Sequence, residues 1–130
     1  MKKLYLAYGS NLNVEQMKFR CPGAKVIGTA AIRNYELLFK GSRSGSYLTI
    51  EHKRGGKVPV AVWEVTPENE RALDRYEGYP TFYYKKVMTI DVELTNGKTE
   101  KRTALFYIMH EDRPMGRPSG IYVQNCLDCY

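Results

Sequence analysis

The sequence is poor in the residues that most often signal metal, redox or nucleophilic chemistry: three cysteines, two histidines and one tryptophan in 130 residues. Cys21, Cys126 and Cys129 are an odd number, which argues against a disulfide framework. Cys126-x-x-Cys129 has the spacing of half a zinc site or of a redox pair. No second pair accompanies it, and His52 and His110 are too far apart in sequence to complete one. Two ordinary thiols near a chain end are the simpler reading, and neither a metal nor a cofactor is expected. Long apolar runs are lacking too, so no membrane segment is expected. After Met1-Lys2-Lys3 the apolar stretch lasts only from Leu4 to Tyr8 before Gly9-Ser10-Asn11, too short for an export signal. A cytoplasmic location is the resulting expectation.

Charge of one sign is in surplus, at +6 with a pI near 9.2. Such a surplus can serve nucleic-acid or anion binding. Here the cations are scattered, as in Lys53-Arg54, Lys85-Lys86 and Lys101-Arg102, and no nucleic-acid module signature accompanies them. The reading is a solvated basic surface and no nucleic-acid partner. With 43% hydrophobic and 26% charged residues the composition is that of an ordinary globular domain.

Leu4 to Tyr8 reads as a short buried strand, and a helix is expected from about Val14 to Arg20, with Asn13 and Gln16 at capping-box spacing. Lys25 to Ile32 and Tyr35 to Lys40 read as strands around an Arg33-Asn34 turn. Gly41 to Ser46 reads as a flexible loop. Tyr47 to Glu51 and Val58 to Val65 read as strands flanking a Gly55-Gly56 turn. Thr66-Pro67-Glu68 is the clearest helix start, with Thr66 as cap and Pro67 at the first helical position; Gly78 and Pro80 stop that helix near Tyr76-Glu77. Phe82 to Leu94 and Glu100 to Met109 form a hairpin about Asn96-Gly97. Short turns between most strands, with two short helices inserted, make an α+β domain around a curved or barrel-like sheet.

Three features are able to carry chemistry. In Tyr8-Gly9-Ser10-Asn11 a strand runs toward a helix start, which gathers backbone N–H groups into a nest for a carboxylate or phosphate; a plain strand-to-helix turn is the alternative. Ser10 lacks the context of a serine nucleophile. Glu77 closes the predicted helix, where the dipole and aromatic neighbours disfavour its charge and push a carboxyl upward, as a proton shuttle requires. The alternative is a solvent-facing glutamate. Asp74, one turn earlier, is a second carboxylate or a partner for Arg71 or Arg75. Among the eleven tyrosines, Tyr76, Tyr79, Tyr83, Tyr84, Tyr107 and Tyr122 are able to line a polar pocket or to serve as strand packing.

Taken in order, these motifs resemble the γ-glutamylcyclotransferase-like family. The match rests on Tyr8-Gly9-Ser10-Asn11-Leu12 and on Leu73-Asp74-x-Tyr76-Glu77-Gly78. It extends to Phe82-Tyr83-Tyr84-Lys85, Ala104 to Met109 and Pro118-Ser119-x-x-Tyr122, nearly the whole chain. The resemblance implies a small mixed β-barrel with short flanking helices. It implies an enzyme that cyclises a γ-glutamyl amino acid or γ-glutamyl amine to 5-oxoproline, with Glu77 as acid–base. Tyr8, Gly9, Ser10, Asn11 and Leu12 would hold the substrate's α-carboxylate end, and Tyr84, Tyr107 and Tyr122 would line the pocket. A non-catalytic carboxylate-binding module on the same fold is the alternative. Family members usually continue beyond Pro-Ser-x-x-Tyr into a C-terminal helical segment. The expectation is thus one domain over residues 1–130 lacking that segment, with a second copy in a homodimer as a source of cover.

Overall fold

In the computed structural model, residues 2–8, 14–42 and 45–111 are described. They form β1 (Lys3–Ala7), α1 (Val14–Arg20), β2 (Lys25–Ser42), β3 (Gly45–Val65), α2 (Pro67–Glu77), β4 (Tyr83–Leu94) and β5 (Thr99–Met109). The strands close into a barrel in the order β1-β3-β2-β4-β5. Only β1 and β5 run parallel, meeting at Tyr5 and Leu105; the other pairs are antiparallel. The expected mixed barrel with two short helices is what the chain adopts.

Two long strands replace the four short ones expected between Lys25 and Val65. The Arg33-Asn34 and Gly55-Gly56 signals are not hairpin turns but facing halves of one irregularity in the β2–β3 ladder. Asn34 takes φ 65 and Gly55 φ 82, and the Asn34 side-chain oxygen accepts from the Gly55 N–H at 3.1 Å. Gly56 lies so close to β2 that a Cβ would sit 2.3 Å from the Tyr35 carbonyl oxygen. A locally favoured left-handed residue serves a bulge as well as a turn, and the ladder decides which. The Gly41–Ser46 segment is likewise drawn into pairing, with Gly41 opposite Ser46 and Ser42 opposite Gly45. Beyond this pairing, β3 is fastened to the start of β4 and the end of β5. Tyr83 donates its hydroxyl to the Leu48 carbonyl at 2.6 Å, and Met109 N–H bonds the Thr49 hydroxyl at 2.9 Å.

α2 starts and stops where its caps dictate. Thr66 accepts from Asn69 N–H, Asn69 returns a bond to Thr66 N–H, Pro67 opens the helix and Gly78 closes it at φ 66. Asn69 also donates to the Pro22 carbonyl at 3.1 Å, and the buried Cys21 thiol reaches the Asn69 carbonyl at 3.7 Å. These contacts tie the turn after α1 to the start of α2. Burial pushes the Cys21 thiol up, against a smaller opposing effect of Arg20, which makes it a core residue and a poor nucleophile.

Ala104 to Met109 is buried at six consecutive positions, as a strand covered on both faces must be. Ala104, Phe106 and Ile108 join the barrel interior with Leu6, Ile32, Ile50 and Val58. Leu105, Tyr107 and Met109 face the helices, among Tyr5, Met17, Trp63 and Leu73.

Candidate active site

Glu77 ends the last turn of α2 and is half-buried. Gly78 reverses the chain there, with Tyr79 N–H bonding the Asp74 carbonyl at 2.9 Å. The reversal brings the Tyr79 ring edge-on to Tyr107, with centroids 6.4 Å apart. The helix end thereby meets β5 at Tyr107.

Tyr107 is 2% exposed and is the meeting point of three elements. Its hydroxyl donates to Asp74 Oδ1 of α2 at 2.6 Å. Its carbonyl accepts the Tyr8 hydroxyl at 2.5 Å, just where the chain leaves β1 toward Gly9. Its phenol is pushed far up, first by burial, then by the Asp74 hydrogen bond and charge, and further by Tyr5 and Glu77. The hydroxyl is thus a fixed donor, and the Glu77 carboxylate is near enough to act on it.

Asp74 is held from the other side by Lys85 of β4, whose ammonium lies 3.1 Å from Oδ1 and 3.3 Å from Oδ2. The same ammonium bonds Glu70 Oε2 at 2.7 Å and lies 4.3 Å from the Tyr79 ring centroid. Lys3 of β1 pairs with the other Glu70 oxygen at 3.0 Å. Burial alone would raise Glu70, but the bonds and charges of Lys85 and Lys3 outweigh it and hold the carboxyl below its usual range. At Lys85 burial would lower the ammonium, but the bonds and charges of Glu70 and Asp74 outweigh it and raise it. Sequence reasoning offered Arg71 or Arg75 as partners for Asp74; both are exposed, and Lys85 takes that place.

Tyr84 and Tyr107, the described tyrosines expected to line the pocket, lie on opposite faces of the β4–β5 ladder. Tyr84 pairs with Ile108 and Lys85 with Tyr107, so Tyr84 turns to the barrel and Tyr107 to the helices. Tyr84 shares the barrel-side cluster with Tyr8. Its hydroxyl donates to Glu111 Oε2 at 2.5 Å, and its ring lies 5.2 Å from His110. Burial, followed by the Glu111 bond and charge, raises its phenol strongly. Lys40, buried, bonds the Glu111 carbonyl and Glu51 beside it. Tyr8 links the two faces, its ring among the barrel residues and its hydroxyl on Tyr107. Of the other tyrosines, Tyr83 is a buried structural donor, and Tyr76 and Tyr79 are substantially exposed. Gly9, Ser10, Asn11, Leu12, Asn13 and Tyr122 lie outside the described residues, as do Cys126 and Cys129.

A cleft of about 910 Å³ opens elsewhere, where β2 and β4 pair only at Gly28 and Thr29. It is lined by Ala30, Ala31, Pro59, Met88 and Thr89 among others and by none of the candidate site residues. The described candidate residues on α2, β5 and the end of β1 gather instead around Tyr107. Lys85 entered the sequence reading only within a matching motif and as one of the scattered cations, and Lys40 and Glu111 were given no role, because their partners lie on other strands or on α2 and local pattern does not report cross-strand register.

Residues 5–124 match the family model described as gamma-glutamyl cyclotransferase, AIG2-like. The chain is 30% identical over 113 residues to a gamma-glutamylcyclotransferase of Homo sapiens and, equally, to one of Mus musculus, covering 82% of this chain and 58% of each relative. It thus spans a little over half the length of those curated relatives. A solved structure titled gamma-glutamyl cyclotransferase superposes with a TM-score of 0.81 at 28% identity, over 99% of this chain and 78% of that one. YkqA from Bacillus subtilis shares the fold with a TM-score of 0.76 at 18% identity. By the extent of the family match and by its barrel, this chain belongs to the gamma-glutamyl cyclotransferase, AIG2-like family.

Proposed function

We propose that the protein cyclises a γ-glutamyl amino acid or γ-glutamyl amine to 5-oxoproline and releases the amine, with Glu77 as its acid–base residue. The observation that supports this most is the convergence on Tyr107 of the α2 end bearing Glu77 and the β1 exit leading to Gly9. A γ-glutamyl compound holds its own nucleophile, the α-amine, and its own electrophile, the γ-carbonyl. The reaction therefore asks for a held conformer and a proton carrier, with no enzyme nucleophile and no metal. Backbone amides at Gly9 to Asn11 would anchor the α-carboxylate and bring the amine over the carbonyl carbon. Orientation of this kind is worth about 7–11 kcal/mol in favourable model systems.

Glu77 would take one proton from the α-ammonium. The freed amine then forms a bond to the γ-carbon, and Glu77 passes that proton to the departing nitrogen as the old amide bond breaks; the ring nitrogen gives up its second proton, again through Glu77, to the released amine, which leaves as an ammonium. Atoms and charge balance without a further reactant. The test is release of 5-oxoproline from a panel of γ-glutamyl amino acids and amines. Glu77→Gln is expected to keep its fold and its ligand binding while turnover falls about 10²–10⁴-fold. Turnover by that variant at the wild-type rate would remove Glu77 from the mechanism. Binding without any turnover by the wild-type chain would instead favour a carboxylate-binding module.

A further inference from the structure

Glu70, Asp74 and Glu77 follow one another at four and three positions along α2, so they share a helix face. Three acids on one half-buried face repel one another unless cations reach them from elsewhere. Lys3 reaches only Glu70 in an ion pair, whereas Lys85 reaches both Glu70 and Asp74. Lys85 is directly opposite Tyr107 in the β4–β5 ladder, and Tyr107 donates to the same Asp74. One rigid strand pair therefore holds Asp74 from two sides, by an ammonium and by a phenol, one helical turn before Glu77.

We propose that Lys85 is a positioning residue for Glu77. By pinning Glu70 and Asp74 to β4 it sets the roll of α2, which turns Glu77 toward Tyr107 and the exit of β1. By neutralising Asp74 it also keeps an unbalanced negative charge away from the proton carrier. This inference rests on the acid–base reading of Glu77. The described groups around that helix end are Glu70, Asp74 and the exposed Arg75 on α2, Lys85 on β4, Tyr107 on β5, Lys3 and Tyr5 on β1, and Tyr8 just after it. Arg20 of α1 lies 3.4 Å over the Tyr76 ring on the neighbouring turn. Within that set Lys85 is the cation that touches Asp74, so its removal changes the local balance by a full charge.

The experiment is the pH profile of kcat/KM for 5-oxoproline release by the wild type, Lys85→Met, Lys85→Arg and the double variant Lys85→Met with Asp74→Asn. Glu77 must be ionised to accept a proton, so activity rises with pH through an acid limb. Loss of the ammonium leaves Asp74 uncompensated, and the acid limb of Lys85→Met is expected to move up by about half a pH unit. Its kcat is expected to fall by up to about 10²-fold as Glu77 loses its placement. Lys85→Arg should restore the limb and most of the rate. The double variant should return the limb toward its original position, and it serves if the single variant does not fold, because no uncompensated acid remains. A lowered rate with an unmoved limb in Lys85→Met, or a limb displaced equally in the double variant, overturns the inference. If Glu77→Gln turns over normally, it is the acid–base reading that fails, whatever Lys85 does.

Discussion

The two faces of β5 work in opposite ways. On the barrel side, Ala104, Phe106 and Ile108 meet Leu6, Ile32, Ile50, Val58, Val60 and Val62, side chains with no polar atom. On the helix side, Leu105 and Met109 flank Tyr107, which is surrounded by rings and hydrogen-bonded through both its hydroxyl and its carbonyl. The barrel side is held by area removed from water, a non-directional force that tolerates exchange of one apolar shape for another. The helix side is also held by directional bonds, which join Tyr107 to Asp74 and Tyr8.

The largest break of this contrast should come from the barrel side. Phe106→Ala is expected to lower unfolding stability by about 3–5 kcal/mol, since Phe106 is fully buried and its loss leaves a cavity. Chemical denaturation would measure it, and a loss below 1 kcal/mol would mean that the barrel collapses around the gap.

Tyr107→Phe should cost less, about 1–2 kcal/mol, because Asp74 keeps Lys85 after the phenol bond is gone. Its effect on turnover should exceed its effect on stability, the reverse of Phe106→Ala. A variant with full activity would separate the Asp74 bond from the placement of Glu77.

The smallest effect is the pH dependence of stability. Glu70 is held below its ordinary range in the folded chain, so its contribution is present above the unfolded carboxyl value and fades as pH falls through the folded one. Lys85, Tyr84 and Tyr107 are raised, so theirs are full below the unfolded values, near pH 10, and fade as pH rises beyond them. Melting curves from pH 3 to 11 should therefore fall at both ends. Lys85→Met should flatten both limbs, since it removes one raised group and one of the partners that lower Glu70.

α2 was legible almost to the residue. Thr66, Pro67 and Gly78 act through bonds and dihedrals within a turn of themselves, and nothing distant competes with them. The Asn96-Gly97 turn was legible for the same reason, and it closes with Gly97 at φ 89. Glu77 was identified together with α2, since its place is the last turn of that helix. Asn34 and Gly55-Gly56 carry equally strong turn signals, yet the structure uses them as a bulge. Their conformations suit either outcome, and the choice lies with some forty residues of β2–β3 pairing. Where Tyr84 and Tyr107 point was not legible, because a register of one residue puts them on different faces.

Composition and local pattern were enough for most of the element types and for the ends of α2, matters settled by neighbours in the chain. Ladder register, the two-sided burial of β5 and the choice of Lys85 over Arg71 and Arg75 as partner of Asp74 arose from the closing of the barrel. Those are set by summed contacts between residues far apart in sequence, each too weak to be read alone, and they exist only once the strands have met.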